Sequence, residues 1–128
     1  MTNSLRTPLG QVRGRGSARG GTADFVAQRA SGVALGALAP WFAISAALYL
    51  RSGPDAARAF LSQPLVAVGA MLLLLAAFYH ARIGMQAVIE DYIHKTSMKS
   101  VLTLLNAFVA IAFAAAGAFA ILKISLGA

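Results

Sequence analysis

Three long apolar stretches dominate the pattern of this chain, and short polar segments separate them. They run from residue 30 to 50, from 64 to about 89 and from 101 to 122. The first carries no charged residue and would span ~30 Å as an α-helix, which is the thickness of a bilayer's hydrocarbon core. The pattern therefore predicts an all-α fold of three transmembrane helices.

The segments between these stretches carry the residues that interrupt helices. Pro40 lies inside the first stretch, where it predicts a kink rather than a break, because neighbouring membrane helices can compensate the lost hydrogen bond. The segment RSGPDAARAF (51–60) predicts a connection with room for a short interfacial helix, and Pro64 suits the first turn of the second helix. The segment EDYIHKTSMKS (90–100) is predicted to be the second loop.

Composition supports the membrane interpretation. The chain is 59% hydrophobic and 12% charged, whereas soluble domains are roughly half apolar and about a quarter charged. It has no cysteine, which excludes disulfides, thiolate metal sites and thiol nucleophiles. The first apolar stretch is longer than that of a cleaved signal peptide, so we expect it to remain in the mature protein.

The net charge of +7 reflects membrane topology rather than nucleic-acid binding, because no aromatic residues are interleaved with the arginines of the tail from Arg6 to Arg19. A cytoplasmic amino terminus puts eight of the eleven basic residues on that side, in agreement with the positive-inside rule. These are Arg6, Arg13, Arg15, Arg19, Arg29, Arg82, Lys95 and Lys99. We predict a cytoplasmic Arg/Gly-rich tail (1–28) and a transmembrane anchor domain (29–128), whose small residues suit a multi-subunit helix bundle.

His80 is the first candidate for chemistry, because an ionisable side chain within a membrane helix is costly and is usually functional. Its imidazole is a good iron ligand, although a hydrogen bond across a helix interface would also explain it. His94 follows about 21 Å further along a continuous helix, so both cannot bind one iron from that helix. A haem with two imidazole ligands would need the second from another chain.

Gly84, Asp91 and Tyr92 follow His80 towards the cytoplasmic end of the second helix. At about 100° per residue, Gly84 and Asp91 share the face of His80. Gly84 leaves space for a porphyrin edge or for a packed helix. Tyr92 is either an interface anchor or a hydrogen-bond donor to a quinone, oriented by Asp91. Arg82 points away from His80 and suits an anchoring charge.

The segment HARIGMQAVIEDY, from His80 to Tyr92, resembles the small hydrophobic membrane anchor subunit of succinate dehydrogenase (succinate:quinone oxidoreductase). That family has a histidine, then a glycine, then an Asp-Tyr pair at the helix end. A second similarity is GSARGGT followed by Gln28-Arg29-Ala30-Ser31, before the first helix. The stretch from Ala23 to Val26 departs from related tails, which are more aromatic and contain histidine.

The resemblance implies a role for each candidate residue. His80 would be the axial iron ligand of haem b, and Arg29 would lie near the haem propionates. Tyr92, supported by Asp91, would contact ubiquinone. The implied partners are a second membrane anchor subunit that supplies the other histidine, an iron–sulfur subunit and a flavoprotein subunit. This chain would not be catalytic alone, and we expect it in the bacterial inner membrane rather than the mitochondrial one.

Two alternatives fit the same residues. An anchor of a fumarate reductase would run the reverse reaction, and spacing alone does not distinguish it. A non-redox helical bundle, in which His80 and Asp91 form a packing or proton network, belongs to a different functional class.

Overall fold

The computed structural model describes residues 7–9 and 21–127, and within them it contains four long or medium helices and no strand. The helices are α1 (Gly21–Leu50), α2 (Pro54–Leu61), α3 (Pro64–Tyr92) and α4 (Thr96–Ser125). Three of them, α1, α3 and α4, are long and apolar enough to cross a membrane. The all-α fold with three transmembrane helices is therefore confirmed.

The long helices extend beyond the apolar stretches that predicted them. α1 begins at Gly21 rather than Ala30, and Asp24 in its first turn interacts favourably with the helix dipole. α4 begins at Thr96 rather than Val101. Hydropathy marks where a helix enters the hydrocarbon, whereas backbone hydrogen bonds continue into polar sequence. Most of the predicted tail, residues 1–6 and 10–20, lies outside the described residues.

α3 is the central helix of the fold. It packs against α1 on one side and α4 on the other, whereas α1 and α4 do not contact each other within the described residues. This arrangement leaves a groove of about 920 Å³ between α1 and α4, with α3 as its floor. The fold is consequently a layer of helices rather than a closed bundle.

The short helix α2 closes one end of this layer, because it contacts α1, α3 and α4. Phe60 is its anchor, with only 5% of its surface exposed. The Phe60 ring stacks on Tyr49, with ring centroids 4.5 Å apart, and lies 6.1 Å from Phe42. The amphipathic sequence PDAARAFL thus forms a short helix in the first connection, which was predicted to have room for one.

Proline and glycine residues set the local geometry of the helices. Pro54 and Pro64 each occupy a first helical turn, where no backbone hydrogen bond is lost. Gly53 precedes α2 with φ of 98°, a conformation that other residues rarely adopt. α1 continues through Pro40 as one helix.

Few side chains are buried within the described residues. The buried apolar residues are Phe60, Val66, Ala67, Ala70 and Ile89, and most of them lie on α3. Large apolar side chains on α1 and α4 instead point outwards, for example Ile44, Phe108 and Phe119. In water such a surface would be unstable, so the outer faces of α1 and α4 suit lipid or other membrane helices.

Candidate functional site

His80 lies on α3 against the first turns of α1 and is hydrogen-bonded there through both ring nitrogens. Its Nδ1 is 3.0 Å from the hydroxyl oxygen of Ser31. Its Nε2 is 3.3 Å from the amide nitrogen of Gln28. The predicted functional histidine is therefore at a helix interface, in contact with two polar residues of α1.

Ser31 is the only buried polar residue among the described residues, with 8% of its surface exposed. Its hydroxyl lies 2.7 Å from the carbonyl oxygen of Ala27 and 3.1 Å from that of Gln28. A carbonyl oxygen can only accept, so the hydroxyl hydrogen points to the closer one, Ala27. A lone pair of the Ser31 oxygen then faces His80.

The roles of the two ring nitrogens depend on the tautomer of His80. With the Ser31 oxygen as acceptor, Nδ1 of His80 would carry the hydrogen and donate it. Nε2 would then accept from the Gln28 amide. A neutral imidazole binds a metal through its unprotonated nitrogen.

Gln28 lies between His80 and Gly84. A Cβ atom at Gly84 would lie 3.4 Å from the Gln28 amide nitrogen, so Gly84 provides space for this side chain. The carbonyl oxygen of the Gln28 side chain is buried and has no hydrogen-bond partner among the described residues. The amide nitrogen therefore makes the one hydrogen bond of this side chain in that part of the chain, the contact with His80.

A cavity of about 480 Å³ opens next to His80, between α1 and α3. Gln28, Arg29, Gly32, Val33 and His80 line it. A Cβ atom at Gly32 would lie 3.4 Å from Cε1 of His80, so this glycine allows the close approach of the ring.

Arg29 is an exposed residue at the edge of the same cavity. Its guanidinium carbon lies 5.1 Å from the centroid of the Phe25 ring, which is a cation–π distance. The structure thus brings together two of the predicted site residues, Arg29 and His80. It also places Gly84 next to Gln28, and Gln28 in turn contacts His80 and lines the same cavity.

On the opposite side of α3, the groove between α1 and α4 is lined mainly by alanine and large apolar side chains. Arg82 contributes the only charged side chain to its lining. The Asn106 amide of α4 donates to the backbone oxygen of Arg82 at 2.9 Å. Polar contacts therefore join α3 to both neighbours at nearly the same level, through His80 on one side and Arg82 on the other.

Tyr92 and Asp91 lie at the end of α3, about 18 Å along the helix from His80. Tyr92 is 76% exposed, Asp91 is also exposed, and neither lines the two cavities. Neither has a hydrogen-bond partner among the described residues. Their predicted quinone contact stays a prediction, and within this chain it lies apart from the His80 cavity.

His94 is not on α3, because that helix ends at Tyr92 and His94 lies in the exposed connection to α4. The described residues contain no group of three or more histidine, cysteine or acidic side chains that could hold a metal ion.

The sequence comparison decides the family. The profile of the family described as succinate dehydrogenase/fumarate reductase transmembrane subunit matches residues 3–119 of this chain. The chain belongs to this family. The match includes all of α1, α2 and α3 and most of α4, so membership in the succinate dehydrogenase/fumarate reductase transmembrane subunit family rests on nearly the whole chain.

A curated relative supports the same assignment. The succinate dehydrogenase hydrophobic membrane anchor subunit of Rickettsia bellii is 26% identical over 102 residues, which cover 80% of this chain and 82% of the relative. No solved structure matches this chain significantly. The resemblance noted from HARIGMQAVIEDY is thereby confirmed, and the chain is a transmembrane anchor subunit of the family.

Sequence reasoning gave no role to the two partners of His80. Gln28 and Ser31 are three residues apart, so they lie on neighbouring positions of one helix face. Both are polar residues at the start of an otherwise apolar span, and this feature of the sequence could have identified them as partners of His80.

Proposed function

We propose that this chain is an anchor subunit of succinate:quinone oxidoreductase that binds haem b through His80 and helps to bind ubiquinone near Tyr92. The observation that carries the proposal is His80, which is hydrogen-bonded through both ring nitrogens beside a cavity of about 480 Å³ in a layer of membrane-spanning helices. Family membership supports the redox context.

The residues at the cavity fit a haem. His80 would supply one imidazole ligand, and a second ligand would come from the partner anchor subunit. The Gln28 amide would turn away from Nε2 for iron to bind there, which breaks the hydrogen bond of 3.3 Å between them. When bound, the haem supplies a one-electron carrier within the membrane.

Arg29 and the glycines would assist this binding. The Arg29 guanidinium is an exposed donor at the cavity edge, suited to the carboxylates of haem propionates. Gly32 would place no side chain against the His80 ring, and Gly84 would place none against Gln28. The assignment of Arg29 is the one that the family resemblance implies.

Tyr92 would act at a different point of the chain. It ends α3 at the predicted cytoplasmic side, where a soluble electron donor would dock, and its exposed hydroxyl is free to donate to a quinone carbonyl. Asp91 precedes it and would orient this donor. Since neither residue lines a cavity of this chain, the rest of the quinone pocket would come from partner subunits.

The exposed apolar faces of α1 and α4 leave room for these partners. A second membrane anchor subunit would cover part of this surface and supply the second histidine, and lipid would cover the remainder. An iron–sulfur subunit and a flavoprotein subunit would dock at the cytoplasmic end. This chain then positions haem and quinone, whereas succinate oxidation takes place in the soluble subunits.

The orientation follows from charge. The start of α1, the end of α3 and the start of α4 lie at one end of the layer, because Gln28 meets His80 and Gly84 there. By sequence, eight of the eleven basic residues belong to this end, so it would face the cytoplasm of a bacterium, with the complex in the inner membrane.

Of the two alternatives, a non-redox bundle does not agree with the family. The family description includes fumarate reductase, so an anchor for the reverse reaction remains the second candidate. The direction would be set by the soluble subunits and the quinone.

Purification of the assembled complex from its native membrane tests the proposal. We expect a flavoprotein and an iron–sulfur protein to copurify with this chain, together with a low-spin b-type haem spectrum and succinate-dependent quinone reduction. A particle that lacks the two redox subunits would overturn the assignment, and one that reduces fumarate with quinol more rapidly would favour the second candidate.

A further inference from the structure

We propose that Ser31 is a positioning residue for His80: its hydroxyl oxygen accepts the Nδ1 hydrogen and so presents the Nε2 lone pair to iron. The inference rests on the proposed function for the iron, but the pairing of Ser31 with His80 is independent of it. The burial of Ser31 and its two short contacts, to Ala27 and to His80, carry the inference.

The hydroxyl of Ser31 has one hydrogen and three possible acceptors for it: the carbonyl oxygens of Ala27 and Gln28 and Nδ1 of His80. If it donated to Nδ1 of His80, the Ser31 and Ala27 oxygens would lie 2.7 Å apart with no hydrogen between them. Two acceptor oxygens repel each other at that distance. The hydrogen therefore lies towards Ala27, and His80 must donate from Nδ1.

A reversed Gln28 amide does not change this result. Reversal would place the Gln28 oxygen against Nε2 and would require a hydrogen there, which the neutral ring cannot carry together with the one on Nδ1. The short contact between Ser31 and Ala27 thus selects the amide orientation as well as the tautomer.

The helix geometry makes this arrangement rigid. Ser31 bonds to the carbonyl four residues earlier on its own helix, which fixes its side-chain rotamer. The ring also lies close to Gly32, the next residue, where an added Cβ atom would be 3.4 Å from Cε1 of His80. A ring held at Nδ1 can rotate little, so the direction of the Nε2 lone pair is fixed as well.

A hydrogen bond at Nδ1 makes an imidazole ligand more basic and favours the ferric state. In the assembled complex, Ser31→Ala should therefore increase the ratio of ferrous to ferric haem at a fixed ambient potential, by about two- to tenfold. It should also alter the electron paramagnetic resonance spectrum of the ferric haem, because the ring is freer to rotate. Ser31→Thr keeps the acceptor and should restore both properties.

Ser45→Ala is the matched control, since it makes the same change about 21 Å away along α1. It should leave the spectrum and the ferrous to ferric ratio as in the unsubstituted complex. Equal values for Ser31→Ala and Ser45→Ala would overturn the proposal.

The tautomer can be read without haem, in the full chain labelled with ¹⁵N-histidine and reconstituted in lipid bilayers. The chain has two histidines, so His94→Gln assigns the signals. We expect the neutral His80 ring to be protonated at Nδ1. Ser31→Ala should remove this preference, and Ser31→Thr should keep it. A His80 ring protonated at Nε2 rather than Nδ1 in the unsubstituted chain would overturn the proposal. This measurement does not depend on the assembly of Ser31→Ala.

His80→Ala separates failure of this inference from failure of the proposed function. If His80→Ala retained the haem unchanged, the ligand assignment would be wrong, while the nitrogen spectra would still decide whether Ser31 sets the tautomer.

Discussion

The indole ring of Trp41 on α1 lies directly over Gly69 on α3. A Cβ atom at Gly69 would lie 2.7 Å and 2.8 Å from two carbons of that ring, which is closer than real side chains approach. Gly69 therefore allows close packing of α1 against α3, about 17 Å along α3 from His80 and on the same face of that helix.

Gly69→Ala should destabilise the packing of α1 against α3 by about 1–3 kcal/mol, because the indole ring must move. Unfolding of the purified complex in denaturing detergent measures this. Gly36→Ala is the control, since nothing lies within 4 Å of its Cβ position. Equal stabilities of the two variants would contradict the described interface.

Asn106→Ala should weaken the contact between α3 and α4. The Asn106 amide donates to the backbone oxygen of Arg82, and such interhelical bonds contribute about 0.6–2 kcal/mol in membranes. Ser100→Ala serves as the control, because Ser100 bonds only within its own helix. The interpretation fails if the exposed Ser100→Ala change lowers the unfolding free energy as much as Asn106→Ala does.

The chain lacks cysteine, so single cysteines can report its topology without a background. We expect cysteines at Ser17 and Ser97 to react with an impermeant reagent from the cytoplasmic side, and one at Ser52 from the other side. Ser52 lies in the connection between α1 and α2, and Ser97 in the first turn of α4. Labelling of Ser17 and Ser97 from opposite sides would contradict three membrane crossings.

Tyr92→Phe removes the proposed quinone donor and retains the ring. A hydrogen bond of about 1–3 kcal/mol would be lost, so quinone reduction should fall and quinone affinity should weaken. Succinate oxidation with a soluble dye that accepts electrons upstream should remain near the unsubstituted rate. Tyr79→Phe, a half-exposed tyrosine that faces the groove, is a matched control. Unchanged quinone kinetics in Tyr92→Phe would leave Tyr92 as an interface anchor only.

The fold was largely predictable from sequence, because hydrocarbon thickness and helical rise together determine the length of a span. The apolar stretches located all three long helices, and Pro64 marked the start of α3 correctly. Helix ends were less predictable. α1 begins nine residues before Ala30, since a helix that leaves the hydrocarbon needs only backbone hydrogen bonds to continue.

The site was only partly predictable. His80 stands out because it interrupts an apolar span, and Arg29 was found through the family resemblance. The contact of His80 with Gln28 and Ser31 depends on how α1 packs against α3, which no local pattern encodes. For Tyr92 the sequence is more informative than the structure. The Asp-Tyr pair forms a recognisable motif, but the structure of this chain leaves Tyr92 exposed.

Absorbance of the haem in the His80→Ala complex tests the central claim most directly. We expect the complex to insert and assemble, because its apolar spans are unchanged, but to lose or weaken its low-spin b-type spectrum. His94→Ala, in the exposed connection, should keep the full spectrum. A His80→Ala complex with the haem content and spectrum of the unsubstituted protein would contradict the assignment of His80 as the iron ligand.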